Sequence, residues 1–258
     1  MTEQAYIRAR NNVTFKGQGT QTLLLAHGFG QTRQAWVQTQ RRLADAGHAS
    51  LAWDVRGHGQ SERNPVDSRY SGEQFVDDIG TAAAALGPAP ILVGASMGGL
   101  TGLMAQARDR LFSALVLVDI TPRWEASGVE RILGFMNAHP EGFASYQDAA
   151  DQIAAYLPHR RARKTPAQLA HLLVPRAEGR LALHRDPRLL SEFSPGTHAL
   201  ADPLDAASRP LAAPDSSSCS HWTRATAGAR VMLSKVIDLT DPATRRTRDS
   251  RSPAAFSR

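Results

Sequence analysis

Ile91-Leu92-Val93-Gly94-Ala95-Ser96-Met97-Gly98-Gly99-Leu100 is an apolar run driven into a Gly-x-Ser-x-Gly turn, and Thr101 to Arg108 behind it read as helix. A serine on such a strand-to-helix turn is held with its hydroxyl projecting. Gly94 and Gly98 are required there because a β-carbon at either place would collide with neighbouring backbone while the serine sits in a strained conformation. The N–H of Met97, in the first turn of the new helix, points at whatever oxygen carries negative charge beside Ser96, and the helix N-terminus adds to the field. The stretch therefore offers both attack and charge stabilisation. A plain Gly-rich packing turn fits the same residues, so the surroundings must decide.

Working outward toward the N-terminus, Leu23-Leu24-Leu25-Ala26 is a buried-strand run that delivers His27-Gly28-Phe29-Gly30 to its C-terminal end. Ligands bind at that end in open α/β sheets. Ser50 to Trp53 is the next strand and ends in Asp54-Val55-Arg56-Gly57-His58-Gly59-Gln60-Ser61. His27 and the histidine of the Gly-His-Gly corner read as loop-holding residues rather than bases. Between these strands lies a helix over Arg33 to Ala46, stopped by Gly47, and after them one over Ser71 to Leu86, with Ser71 as N-cap and Gly87-Pro88 as its end. Tyr6 to Phe15 supply one or two edge strands. Phe112 to Asp119 is a further apolar strand whose last residue is acidic. Four strand-then-helix units predict an α/β fold, with a doubly wound, mostly parallel sheet covered on both faces.

From Thr121 the pattern turns helical, over Val129 to Ala138, Phe143 to Leu157 and Thr165 to Leu173, with Pro140, Pro158 and Pro175 as punctuation. Helices inserted there form a lid over the C-terminal edge of the sheet. Its Phe135, Met136, Phe143 and Tyr156 are candidates to line an apolar pocket above Ser96, or to form the lid's own core. The organisation expected is a core over 1–120, a helical lid over 121–190 and an atypical, mostly irregular region over 191–258.

The chain of 258 residues is 42% hydrophobic and carries a net charge of +6. From Ser208 onward eight Arg and one Lys face four Asp, so nearly all of that excess sits in the last fifth of the chain, which argues against a nucleic-acid partner. No stretch approaches the roughly 18 uninterrupted apolar residues of a membrane span, and residues 1–5 lack the blocks of a secretory signal. A cytoplasmic protein without a membrane partner is the expectation. Cys219 stands alone, which excludes an intramolecular disulfide and a cysteine metal cluster.

With Ala26-His27-Gly28-Phe29-Gly30, Asp54 to Ser61 and Gly94 to Gly99 in order and spacing, the chain resembles the α/β-hydrolase family over residues 6–200. It looks most similar to bacterial esterases, lactonases and cofactor-free haloperoxidases with a helical lid. The resemblance implies hydrolysis of ester-like bonds in a small apolar substrate, with Ser96 as nucleophile. It also implies an oxyanion hole from the N–H groups of Met97 and Phe29, and no metal or organic cofactor. The family's base is a histidine near the C-terminus, preceded by an acid at a strand end. Asp119 stands where some members carry that acid, and a strand-end residue bonded to Thr121 or Arg123 is the plainer reading of it. By chain order the base candidates are His198 and His221.

The chain departs from the family pattern after Leu200. Where a strand, an acid, a helix and Gly-His are expected, it reads Pro214-Asp215-Ser216-Ser217-Ser218-Cys219-Ser220-His221-Trp222 and then an Arg- and Thr-rich tail. Read one nucleotide later, codons for Pro214 to Ser220 can spell Pro-Thr-Leu-Leu-Leu-Val-Arg, the expected strand, which is what a frameshift would produce. Arg230 to Leu239 is the only later strand candidate. An impaired or non-catalytic hydrolase-fold protein is therefore the alternative to an active enzyme.

Overall fold

The computed structural model describes residues 13–18, 21–120, 126–156, 163–192, 222–224 and 230–234. Its centre is a sheet of strands β1 (Val13–Lys16), β2 (Thr22–Ala26), β3 (Ala49–Trp53), β4 (Ile91–Ala95), β5 (Ala114–Val118), β8 (Trp222–Arg224) and β9 (Arg230–Ser234). Their spatial order is β1-β3-β2-β4-β5-β9-β8. The inner pairings β3·β2, β2·β4, β4·β5 and β5·β9 are parallel. The outer strands β1 and β8 are antiparallel.

Alternation along the strands explains why both faces are covered. Leu24 and Ala26 of β2, Leu92 of β4 and Leu115 and Leu117 of β5 point into one core, with Phe75, Ile79 and Leu103. Leu23, Leu25, Ile91, Val93 and Val118 point to the other face and pack with Trp36 and Leu43. Side chains alternate across a strand with a period of two, so a strand buried on both sides must be apolar throughout, as these are.

The helices begin and end where local chemistry dictates. A 3₁₀ turn over Arg33–Trp36 leads into α1 (Val37–Asp45), and Gly47 follows with φ 79°. Helix α2 (Gly72–Ala84) carries a full capping box: Ser71 Oγ accepts from the Gln74 N–H while the Gln74 side chain accepts from the Ser71 N–H. Helix α3 (Met97–Asp109) leaves β4 directly through Ser96.

The lid region differs from the expected three helices. Helices α4 (Ala126–Asn137) and α5 (Tyr146–Tyr156) are present, but Thr165 caps a single turn, α6 (Pro166–Leu169). A hairpin of β6 (Leu173–Pro175) and β7 (Leu181–Leu183) follows, then the short α7 (Leu189–Glu192). The hairpin forms because Leu173 and Leu181 bury against Phe143, Ala149 and Leu169 in a second core, and Phe143 and Leu181 exchange backbone hydrogen bonds of 2.6 and 2.8 Å.

In the C-terminal region, expected to be mostly irregular, β9 falls within the Arg230 to Leu239 strand candidate, and β9 and β8 extend the sheet. Val231, Met232 and Leu233 stand in register with Leu115, Val116 and Leu117. The edge of β5 would otherwise expose unpaired N–H and C=O groups, and this apolar triplet satisfies them.

Candidate active site

Ser96 joins β4 to α3 at φ 45° and ψ −116° and is half-buried. Its N–H donates to Val118 O at 2.9 Å, while the N–H groups of Gly99 and Leu100 donate to its carbonyl at 2.9 and 3.0 Å. The serine is thus held from both sides, by the neighbouring strand and by the helix it starts. A β-carbon on Gly94 would stand 2.6 Å from Gly99 Cα, and one on Gly98 would stand 2.6 Å from the Ala26 carbonyl oxygen. The turn closes only with glycine at both positions. Met97 is buried, and its N–H lies among those at the helix start that have no acceptor within the helix.

The strand ends bring the other motifs to the same edge. Gly28 lies against the serine, since a β-carbon there would come within 3.3 Å of Ser96 Cβ. Phe29 packs edge-on against His58, with ring centroids 5.6 Å apart. Gly30 meets the lid: a β-carbon on it would reach Met136 Cε at 3.0 Å. Helix α4 therefore covers the loop that touches the serine.

His27 and His58 hold these loops. His27 Nδ1–H donates to Gly28 O at 2.9 Å and its Nε2 accepts from the Val55 N–H at 2.9 Å. His58 Nδ1–H donates to Arg56 O at 3.2 Å and its Nε2 accepts from the Gly30 N–H at 3.1 Å. Each ring is neutral and has both nitrogens engaged. Burial lowers the pKa of His27 and, with His27 alongside, pushes His58 down to about 3. Neither is free to take a proton from Ser96. His198 and His221 lie outside the described residues, as do Thr121 and Arg123, the partners considered for Asp119.

Asp119 directly follows β5 at φ 57° and is exposed at the same sheet edge. The Tyr156 phenol of α5 has its pKa raised, by burial first, with the Asp119 charge adding to the rise and Arg131 opposing it. Of the expected pocket residues, Phe135, Met136 and Phe143 line a cavity of about 450 Å³ under the lid. Tyr156 does not line it and stacks on Phe135 with centroids 4.4 Å apart. Ser96, Phe29 and Gly30 are not among that cavity's walls; two of its lining residues touch the loop, Met136 against Gly30 and Arg185 over the Phe29 ring.

Sequence reasoning missed the polar framework that fixes this edge. Buried Asp54 accepts from the Arg33 N–H at 2.7 Å and the Gln60 N–H at 3.1 Å, and pairs with the Arg33 guanidinium. Asp186 accepts from Tyr70 Oη at 2.9 Å and from Arg188 Nη2 at 2.8 Å. Burial disfavours its charge, but the Arg188 and Tyr70 bonds outweigh that and hold the carboxyl below its ordinary range. The Asp186 N–H also donates to Gly57 O at 2.7 Å, and the Gly59 N–H to His184 O at 2.8 Å, which docks the chain after β7 onto the His58 corner. Asp186-Pro187-Arg188 carries no motif; its partners are more than a hundred residues away.

A family model described as alpha/beta hydrolase fold matches residues 21–193, more than half of the chain. The chain belongs to the α/β-hydrolase-fold family. Among curated relatives of this α/β-hydrolase-fold chain, strigolactone esterase D14 of Arabidopsis thaliana is 30% identical over 162 residues, 56% of this chain and 60% of the relative. The non-heme chloroperoxidase CPO-A1 of Kitasatospora aureofaciens is 35% identical over 112 residues, 41% of this chain and 39% of the relative. The chain thus spans 60% or less of the length of these two relatives. Among solved structures, an E-2-(acetamidomethylene)succinate hydrolase superposes with a TM-score of 0.67 at 21% identity, covering 93% of each chain. An α/β hydrolase from Novosphingobium aromaticivorans superposes with a TM-score of 0.65 at 22% identity, covering 92% of each. At these identities the two structures share the fold. No helix among the described residues is long and apolar enough to cross a membrane.

Proposed function

We propose that the chain is a serine hydrolase of small ester-like substrates, and the observation that carries this is the strained, glycine-enclosed Ser96 beside the Gly28–Phe29 loop. Ser96 Oγ attacks the acyl carbonyl as its proton passes to a base, and the oxyanion sits between the N–H groups of Met97 and Phe29. The base returns the proton to the leaving alcohol, and water then releases the acyl group from the serine. Each oxyanion donor contributes about 3 kcal/mol to the transition state. Asp119 is the acid candidate and His198 or His221 the base candidate. The chemistry needs no metal and no organic cofactor. The esterase named among the relatives supports the ester-like class.

A second reading, a hydrolase-fold protein that binds small molecules without turnover, is favoured by one observation: His27 and His58 both spend their ring nitrogens on backbone partners. Steady-state hydrolysis of an activated aryl ester separates the two. The first reading expects turnover that Ser96→Ala lowers by several orders of magnitude, with His198→Ala or His221→Ala reproducing the loss. Background rates in the unaltered protein would favour the second.

A further inference from the structure

The cavity under the lid is not wholly apolar, as the expected substrate class would require. Phe135, Met136, Phe143 and Leu183 form part of its wall, and Arg176 and Arg185 bring positive charge to it. No aspartate or glutamate stands among the described lining residues. Arg185 is 9% exposed. Its Nε has no hydrogen-bond partner, and its Nη1 makes only a long bond, 3.5 Å, to the Asp186 carbonyl oxygen. The neighbouring Asp186 carboxylate spends its hydrogen bonds on Arg188 and Tyr70 and acts on Arg185 through its charge alone. The guanidinium instead lies over the Phe29 ring, its Cζ 5.5 Å from the ring centroid, which offers a cation only partial compensation.

A buried guanidinium whose single hydrogen bond is a long one is costly, and the molecule retains this one on the wall of a cavity. We propose that the cavity is a carboxylate-binding subsite anchored by Arg185 and assisted by Arg176, so that the substrate class is small esters or lactones that carry a free carboxylate. The substrate half of this statement rests on the serine-hydrolase reading above; the anion preference of the cavity does not. A carboxylate supplies the two parallel acceptors that an arginine fork takes, and the ring-lined part of the wall accommodates the apolar body attached to it. The location fits a substrate handle. Phe29 lies under Arg185 and its neighbour Gly28 lies against Ser96, so one short loop joins the anchor to the serine. Burial, together with Arg176 nearby, lowers the Arg185 pKa to about 10, which keeps the group charged at neutral pH.

The test uses binding rather than turnover, so it succeeds or fails independently of Ser96 chemistry. Isothermal titration of the full chain with 3-phenylpropanoate and with the neutral 3-phenylpropanamide should show the carboxylate bound about tenfold to a hundredfold more tightly. In Arg185→Gln that ratio should fall close to one. Arg176 is exposed, so Arg176→Glu is expected to fold normally; it should weaken the carboxylate severalfold and leave the amide unchanged. Equal affinity for the two probes in the unaltered chain overturns the proposal. So does a ratio that survives Arg185→Gln at an unchanged unfolding midpoint, or, should that variant not fold, a ratio unmoved by Arg176→Glu.

Discussion

Ser96 pays for its position with a φ of 45°, a value that β-carbon residues rarely adopt, and the cost is borne by tight packing of glycines around it. That packing leaves no slack. Gly98→Ala would force a β-carbon against the backbone of Ala26, so a loss of about 2–3 kcal/mol in urea unfolding is expected, against about 1 kcal/mol for Gly47→Ala, where only the positive φ is at stake and nothing lies within 4 Å. Similar losses for both would mean that the elbow is not close-packed. His58 makes a second prediction at this scale. Its folded pKa of about 3 lies below the roughly 6.5 of an unfolded histidine, so between those values the unfolded chain binds a proton that the folded chain refuses. Stability should therefore be full above about pH 6.5 and decline as pH falls toward 3. His58→Gln should flatten part of the slope of unfolding free energy against pH, leaving the share due to His27; an unchanged slope would show that His58 is not buried as a neutral ring.

Among the elements, those read most directly from sequence are the ones whose cause is local. Ser71 and Gln74 make a capping box within one turn, Gly47 terminates α1, and the apolar runs of β2, β4 and β5 can only be buried strands. The β6–β7 hairpin was not legible, because Leu172-Leu173-Val174 reads equally as the end of a helix, and only Phe143, thirty-eight positions before Leu181, selects the strand. Arg185 was silent for the same reason: its isolation depends on where Phe29, Arg188 and the lid come to lie. Strand β9 is the element whose importance the composition of the tail conceals. Its three apolar residues complete the parallel sheet beside β5. A chain stopped before Trp222 would leave the Ala114–Val118 edge unpaired, and size-exclusion chromatography should then show association or aggregation. A monomer with an unchanged unfolding transition would contradict that role.

At the scale of the whole molecule, a parallel sheet presents the ends of β2, β3, β4 and β5 at one edge, and the lid with its hairpin closes over that edge through Met136 on Gly30 and the His184–Asp186 segment on the His58 corner. Core and lid therefore act as one frame around the serine. The fold and the nucleophile candidate were legible because three glycine-bearing motifs occur in a fixed order. The base was not, because the family places it in a region where this chain departs from the pattern. The central claim is that Ser96 is the reacting group, and it is tested most directly by incubating the protein with a serine-directed fluorophosphonate and mapping the adduct by peptide mass spectrometry. A single adduct on Ser96, absent from Ser96→Ala, is the predicted result; no adduct, or one on another serine with Ser96 unmodified, would contradict it.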